Sequence, residues 1–216
     1  MPEGAPQVKL DAIRRTGAAL RACPDYDDAE RQAKGHATSG NASYISPYAH
    51  PDVIAGAGTV GLEILEEWPE VDDIVVPIGG GGLISGIAVA ADESARTSVI
   101  GVEVEASAPF THSLEAGRIV EIDVKPTLAD GLAGNLDPDT PTFDIVRRLV
   151  RRIHLVTEPQ LEDAIRGIAA EERLVAEAAG AAGVAALAAG MDVRGRNVAV
   201  VLSGANIDLE KFRKIL

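Results

Sequence analysis

Apolar and polar residues follow two different patterns along the chain, and the pattern changes at Pro69. Before Pro69, apolar residues recur mainly at helical spacing, and a short β-rich run interrupts them once. This spacing predicts helices over residues 6–20, 26–37 and 51–68 and a strand over residues 42–46. Pro51 and Asp52 suit the first turn of the third helix.

After Pro69 the chain carries continuous apolar runs separated by helical patterns. The runs "DDIVVPI" and "TSVIGVEVE", at residues 72–78 and 97–105, predict strands covered on both faces. The segment "LISGIAVAADE" between them predicts a crossover helix. Strand, helix and strand in this order form a βαβ unit of a parallel sheet.

The same alternation continues to the C-terminus. The pattern predicts a helix at 108–115, a loop at 128–142, a helix at 143–152, a strand at 153–157, helices at 159–173 and 176–189, a strand at 197–203 and a helix from Asp208. We therefore predict an α/β fold, with an open, mostly parallel twisted sheet and helices on both faces. Residues 1–45 carry too few strands for a sheet of their own, so we expect them to belong to something larger.

Composition narrows the class of function. The formal charge of −13 argues against a nucleic-acid partner, because binding phosphate backbones needs a basic surface. No apolar run is long enough for a membrane span, and the N-terminus lacks the apolar core of a signal peptide. The single cysteine, Cys23, cannot form an internal disulfide and fits a reducing cytoplasm, where we expect the protein to reside.

Four consecutive glycines, Gly79, Gly80, Gly81 and Gly82, follow a predicted strand and open a predicted helix. At such a point free backbone N–H groups and the positive end of the helix dipole converge. A turn needs only one or two glycines, so four favour a cradle for a phosphate group. The pattern Gly-x-x-x-x-Gly-Lys-Ser/Thr is absent, which argues against a P-loop nucleotide site.

Other candidate sites are weaker when taken alone. The hexapeptide "GAGTVG", with Gly56, Gly58 and Gly61, matches the dinucleotide fingerprint but lies inside a predicted helix, so we interpret these glycines as close helix packing. Ser203 stands at a strand end, where a serine is typically a turn residue. Glu177 stands before a small apolar helix, and a glutamate is common at a helix N-terminus. The histidines lack metal-ligand spacing: His36, His50, His112 and His154.

Taken together and in order, six segments resemble one family. They are "MPEGAPQVKLDAIRRTGA", "HPDVIAGAGTVGLEIL", "VVPIGGGGLISGIA", "TLADGLA", "LVAEAAGAAGVAAL" and "VVLSGANID". The chain resembles the fold-type II enzymes that depend on pyridoxal 5'-phosphate, in particular the serine/threonine dehydratase (threonine ammonia-lyase) and serine racemase group. The resemblance covers essentially all 216 residues.

This resemblance implies a cofactor and its site. It makes Gly79, Gly80, Gly81 and Gly82, with Leu83, the cup for the cofactor phosphate. It makes Ser203 the hydroxyl partner of the pyridine nitrogen and places Glu177 near the cofactor ring. It also implies that residues 1–45 are a remnant of a small domain and that residues 46–216 form the large, cofactor-binding domain.

The implied reaction converts a β-hydroxy amino acid into a 2-oxo acid and ammonia, with serine racemisation as the alternative. In the family, the Schiff-base lysine and the loop that binds the substrate carboxylate precede the "MPE" segment at which this chain begins. The chain therefore offers no catalytic residue, and we expect it to be inactive alone. A non-catalytic remnant or one subunit of a split enzyme is the alternative, and we expect a homodimer or a complex with a missing N-terminal half.

Three further features of the sequence are not expected to form a catalytic, substrate-binding or metal site. The five lysines, Lys9, Lys34, Lys125, Lys211 and Lys214, lack the family context and are typical surface charges. The tetrapeptide "TSGN" at residues 38–41 imitates the substrate loop at the wrong place in the chain. Glu103 matches the first carboxylate of a metal site that some members carry, but Pro109 stands where the second is expected, so we predict no metal.

Overall fold

The computed structural model describes residues 1–40 and 42–216, and these form two compact units. The first comprises residues 1–46 and 206–216, and the second residues 47–205. By packing, the C-terminal residues thus group with the N-terminal ones. The division into domains at residues 45 and 46, made from the sequence, stays a prediction.

The helices are α1 (Gln7–Arg15), α2 (Tyr26–Ser39), α3 (Pro51–Glu67), α4 (Gly82–Ala91), α5 (Pro109–Ala116), α6 (Thr142–Leu149), α7 (Glu158–Gly167), α8 (Ala178–Ala188) and α9 (Leu209–Ile215). The strands are β1 (Asp73–Pro77), β2 (Ser98–Val104), β3 (Val150–Val156) and β4 (Val198–Val200). A short 3-10 helix covers Asp130–Leu132, and a π-helical turn, Ile168–Glu172, extends α7. Most predicted elements are confirmed, with boundaries that shift by a few residues.

The first unit contains α1, α2 and α9. The Asp25 carboxylate caps α2 by accepting a hydrogen bond from the Asp28 amide at 2.7 Å. The strand predicted over residues 42–46 is wrong, because this segment has no strand partner among the described residues. Instead the Tyr44 hydroxyl donates to the Glu30 carboxylate of α2 at 2.8 Å. In the tetrapeptide at 38–41, Asn41 lies outside the described residues.

The second unit is built on a parallel sheet with the strand order β3-β2-β1-β4. Helices pack on both faces, as the continuous apolar runs predict. Ile74, Val76 and Ile78 belong to the buried cluster that includes α4, whereas Val75 lies under α8, where Gly183 approaches it. The α/β fold predicted from the sequence is therefore confirmed.

Two boundaries differ from the prediction for a physical reason. The helix predicted to run to residue 152 ends at Leu149, and β3 begins directly at Val150. The charged Arg151 and Arg152 are consecutive exposed residues of that strand. The strand therefore does not begin with the alternation of apolar and polar residues that would predict it. At the other edge of the sheet, β4 has only three residues.

The glycines of "GAGTVG" lie within α3, as predicted. A Cβ at Gly58 would lie 3.1 Å from the Gly86 carbonyl oxygen of α4, and one at Gly61 would lie 3.0 Å from the Ala90 Cβ. These two glycines thus let α3 and α4 pack closely. A Cβ at Gly56 would meet no atom of residues 1–40 and 42–216 within 4 Å, so Gly56 is not required for this packing. In the described part of the chain, no helix combines the length and apolarity that crossing a membrane requires.

Candidate functional site

The order of the strands places a crevice between the carboxyl ends of β1 and β4. From β1 the chain passes through α4 to β2 on one side, whereas β4 pairs with β1 on the other side. Open α/β sheets bind ligands where the strand order reverses in this way. Gly79–Gly82 follow β1 and Ser203 follows β4, so the fold brings these predicted site residues to the same edge of the sheet.

The tetraglycine loop presents backbone amides. Among residues 1–40 and 42–216, no acceptor pairs with the N–H groups of Gly79, Gly80 or Gly81. The amides of Gly82 and Leu83 lie in the first turn of α4, where N–H groups have no acceptor within the helix, and no side chain of the described residues caps this helix. Five consecutive amides are therefore available to an anion at the positive end of the α4 dipole.

The loop needs its glycines because neighbouring groups occupy the space a side chain would fill. A Cβ at Gly79 would lie 2.9 Å from the Gly131 carbonyl oxygen, and a Cβ at Gly80 would overlap the ring of Tyr48. Gly81 has a φ of +85° and faces Phe110, whose Cζ would be 2.5 Å from a Cβ. The loop is thus held tightly on its protein side.

Tyr48 is a site residue that no sequence pattern predicts. Its ring lies against Gly80, its backbone lies against Gly82, and only 8% of its surface is exposed. Tyr48 precedes α3 by three positions in a segment without regular structure. The one available signal is an aromatic residue in a chain that has only seven.

The 3-10 helix of the "TLADGLA" segment connects the tetraglycine loop to α8. Gly131 approaches Gly79 on one side, and on the other a Cβ at Gly131 would lie 3.2 Å from the Ala179 Cβ. Thr127 and Leu128 are held in place by the Glu158 carboxylate, which accepts from the Thr127 hydroxyl at 2.5 Å and from the Leu128 amide at 2.8 Å. This segment thus forms one wall of the crevice.

Glu177 and Ser203 lie close together at the carboxyl end of β4. The Glu177 amide donates to the Gly204 carbonyl oxygen at 3.0 Å, and the Glu177 side chain covers the α-carbon of Gly204. On its other side Gly204 touches α8, where a Cβ at Gly180 would lie 2.5 Å from the Gly204 oxygen. Ser203 is exposed and half-buried Glu177 stands at the N-terminus of α8. The roles assigned to both residues stay predictions.

Glu103 does not fit the donor set of a metal site. Its Oε1 accepts from the Phe110 amide at 2.8 Å, and its Oε2 accepts from the Thr111 amide at 2.9 Å and the Thr111 hydroxyl at 2.6 Å. The carboxyl group is fully buried and caps the start of α5, and Pro109 offers no side-chain oxygen. Burial raises the pKa of Glu103 above its ordinary value, against the opposing effect of these three hydrogen bonds.

Comparison with known proteins agrees with this arrangement. A family model described as pyridoxal-phosphate dependent enzyme matches residues 1–204. The L-threonine ammonia-lyase of Thermotoga maritima is 41% identical over 218 residues, an alignment that covers all of this chain and 54% of that protein. The chain therefore spans about half the length of this curated relative.

Two solved structures show the same fold. The maize serine racemase matches with a TM-score of 0.87 and 30% identity, covering 99% of this chain and 67% of that one. The processed form of threonine deaminase isoform 2 from Solanum lycopersicum matches with a TM-score of 0.87 and 33% identity, covering 100% and 64%. The family model covers most of the chain, and the crevice, the tetraglycine loop and the serine after β4 lie within the matched residues. The chain belongs to the family of pyridoxal-phosphate dependent enzymes.

Proposed function

We propose that this chain binds pyridoxal 5'-phosphate as part of an enzyme of the threonine and serine dehydratase type. The observation that carries the proposal is the row of five backbone amides at Gly79–Leu83, which have no acceptor among the described residues and stand at the strand-order reversal. Within this family, a phosphate group is the anion that suits such a cup.

Each predicted residue has a task in this proposal. The amides of the tetraglycine loop and Leu83 hold the phosphate, and Ser203 offers a neutral hydroxyl to the pyridine nitrogen. Glu177, beside Gly204, borders the ring. When bound, the cofactor supplies an electron sink for the electrons left on the amino-acid α-carbon. A hydroxyl at the pyridine nitrogen does not keep that nitrogen protonated, which suits loss of a β-hydroxyl group better than a long-lived carbanion.

Dehydration is favoured over racemisation by the relatives. The Thermotoga maritima protein carries the name L-threonine ammonia-lyase and is the more similar in sequence, at 41% identity, whereas the maize serine racemase is 30% identical. We propose a β-hydroxy amino acid as substrate and a 2-oxo acid and ammonia as products, with serine racemisation as the second candidate. From the resemblance to the family we also propose a homodimer, or a complex with a polypeptide that carries the Schiff-base lysine and the substrate-carboxylate loop.

We further propose that the 216-residue polypeptide alone does not turn over substrate. The family's Ser-x-Lys-x-Arg-Gly motif does not occur in it. The second unit, which contains the crevice, has one lysine in its sequence, Lys125, and this residue is exposed. Without a lysine at the cofactor there is no covalent attachment and no local base, and loss of either removes most of the rate.

Binding of three ligands tests the cofactor proposal. Isothermal titration of the purified chain is expected to show binding of pyridoxal phosphate and of inorganic phosphate, and much weaker binding of pyridoxal, which lacks the phosphate. The variant Gly81→Ala should weaken pyridoxal phosphate by about tenfold or more, because the new Cβ strains the backbone and displaces Phe110. Equal affinity for pyridoxal and pyridoxal phosphate contradicts the phosphate cup.

A matched control separates backbone strain from loss of the site. Gly117, the C-cap residue of α5, also has a positive φ, +69°, but a Cβ there meets no atom of the described residues within 4 Å. Gly117→Ala should therefore carry a similar backbone penalty and bind pyridoxal phosphate like the wild type. Rapid threonine or serine dehydration by the purified chain, or borohydride reduction of the cofactor onto one unique lysine, contradicts the proposed inactivity.

A further inference from the structure

A buried threonine from α6 bonds to the tetraglycine loop. The Thr142 hydroxyl donates to the Gly80 carbonyl oxygen at 2.9 Å, across 62 positions of the chain. Thr142 is fully buried and occupies the first position of α6. Its Cβ would also lie 3.0 Å from a Cβ placed on Gly81, so the side chain contacts both glycines of one peptide group.

This bond fixes the direction of an amide as well as that of a carbonyl. The peptide between Gly80 and Gly81 is trans, and in a trans peptide the C=O and the N–H point in opposite directions. Because Thr142 holds the Gly80 oxygen, the Gly81 N–H must point away from α6. Glycine on both sides imposes no Cβ restriction on the direction of this peptide, so the hydrogen bond to Thr142 sets it.

A second threonine sets the proton arrangement of the first. The hydroxyl oxygens of Thr140 and Thr142 are 2.8 Å apart, and both side chains are buried. A hydroxyl has one proton, so when Thr142 donates to Gly80, the Thr140 hydroxyl must be the donor in the hydrogen bond between the two threonines. The Thr142 amide in turn lies 3.4 Å from the Thr140 hydroxyl oxygen. The two hydroxyls therefore form a short chain that ends on the Gly80 carbonyl.

We propose that Thr142 is a positioning residue of the anion cup: it locks the Gly80–Gly81 peptide so that the Gly81 amide faces the bound phosphate. The phosphate itself rests on the function proposed above. The peptide lock is a property of the chain without ligand. The peptide lock and the binding of phosphate can therefore be disproved separately.

Three variants of the full chain test the lock. Thr142→Val keeps the shape and removes the hydroxyl, and Thr142→Ser restores the hydroxyl. Thr97→Val is the matched control, because the Thr97 hydroxyl also donates to a backbone carbonyl, that of Val71 at 3.0 Å, before β1. The measurements are dissociation constants for pyridoxal phosphate, inorganic phosphate and pyridoxal, the melting temperature, and a crystal structure of the ligand-free variant.

Thr142→Val should weaken pyridoxal phosphate and inorganic phosphate by about five- to tenfold, the size of one net hydrogen bond, and leave pyridoxal unchanged. Thr142→Ser and Thr97→Val should stay within about twofold of the wild type. The ligand-free crystal structure of Thr142→Val should show the Gly80–Gly81 peptide rotated. Wild-type affinity in Thr142→Val, or an unrotated peptide, overturns the proposal.

Two remaining outcomes are also decisive. If the wild-type chain binds neither pyridoxal phosphate nor inorganic phosphate, the proposed function fails, and the crystal structure of Thr142→Val alone decides whether the peptide is locked. If Thr142→Val does not fold, Thr142→Ala takes its place. That variant also removes the hydroxyl that donates to Gly80 and should weaken both phosphate ligands in the same direction, whereas unchanged affinity there overturns the proposal.

Discussion

The buried carboxylate at the start of β1 gives the sharpest stability prediction. Asp73 has no exposed surface, and both of its oxygens accept from the Arg196 guanidinium. Arg196 also donates to the Asp72 carbonyl oxygen at 3.0 Å and keeps 32% of its side chain exposed. Arg151 is a weaker second partner at 3.4 Å. The pair therefore joins the buried start of β1 to the loop before β4.

The two halves of this pair should not cost the same when removed. Arg196→Ala leaves a buried carboxylate with Arg151 alone, so we expect a loss of about 3–5 kcal/mol in the free energy of unfolding. Asp73→Ala leaves an arginine that can turn to water and keep its bond to Asp72, so we expect about 1–2 kcal/mol. The double variant should be more stable than Arg196→Ala, because the uncompensated charge is gone.

Urea unfolding at pH 7, followed by circular dichroism and by Trp68 fluorescence, measures these differences. Arg194→Ala is the matched control in the same loop: Arg194 pairs with Asp192 at 2.9 Å, but its side chain is 91% exposed, so its loss should leave the unfolding midpoint unchanged. A larger loss of stability in Asp73→Ala than in Arg196→Ala, or a double variant less stable than Arg196→Ala, contradicts this expectation.

Three further predictions concern buried groups and helix packing. Burial raises the pKa of Glu103 in the folded chain, so this group stabilises the fold most at low pH. Its contribution is lost as the pH rises through the folded pKa. Glu103→Gln should therefore flatten the dependence of the melting temperature on pH above pH 4.5. The Ser85 hydroxyl is buried and has no partner among the described residues, so Ser85→Ala should raise the free energy of unfolding by about 1 kcal/mol in urea titration. Gly56→Ala should stabilise α3 by about 0.5–1 kcal/mol, whereas Gly58→Ala, which meets the α4 backbone, should destabilise the protein in the same assay.

Each of these has a clear contrary result. A Glu103→Gln variant that keeps the wild-type slope of stability against pH contradicts the role given to Glu103. His112→Gln is the control, because the charge of His112 favours the ionised form of the Glu103 carboxylate. A Ser85→Ala variant less stable than the wild type shows that the hydroxyl has a partner in solution. Equal effects at Gly56 and Gly58 contradict the assignment of Gly58 to helix packing.

The parts of the fold that depend on periodicity could be predicted from the sequence. The apolar runs of β1 and β2 and the glycines before α4 carry their signal locally, so the βαβ unit and the tetraglycine loop were found. The strand predicted over residues 42–46 does not form, because a β-rich pentapeptide forms a strand only when a partner strand lies beside it. Likewise the start of β3 could not be predicted, because two exposed arginines interrupt the apolar pattern there.

The residues that support the tetraglycine loop could not be predicted from the sequence. Tyr48 lies 32 positions before the glycine it supports, and Thr142 lies 62 positions after it. Neither residue stands out from its neighbours in the sequence, and a threonine at the first position of a helix has many ordinary explanations. The same holds for Glu103, whose match to a metal ligand is a property of sequence and whose bonds to α5 are a property of packing. Such residues become visible only when the chain is folded.

The bond between Gly80 and Thr142 also has a consequence for the order of events in folding. A contact that closes a loop of 62 residues forms slowly compared with a helix turn, and it cannot form on the ribosome before α6 has emerged. Before that point, the Gly80–Gly81 peptide lacks the hydrogen bond that fixes its direction. A phosphate ligand should therefore bind chains whose second unit has finished folding, and at a concentration of 100 times its dissociation constant it adds about 2.7 kcal/mol to the native state alone. Ligand-induced stabilisation thus reports the completed fold.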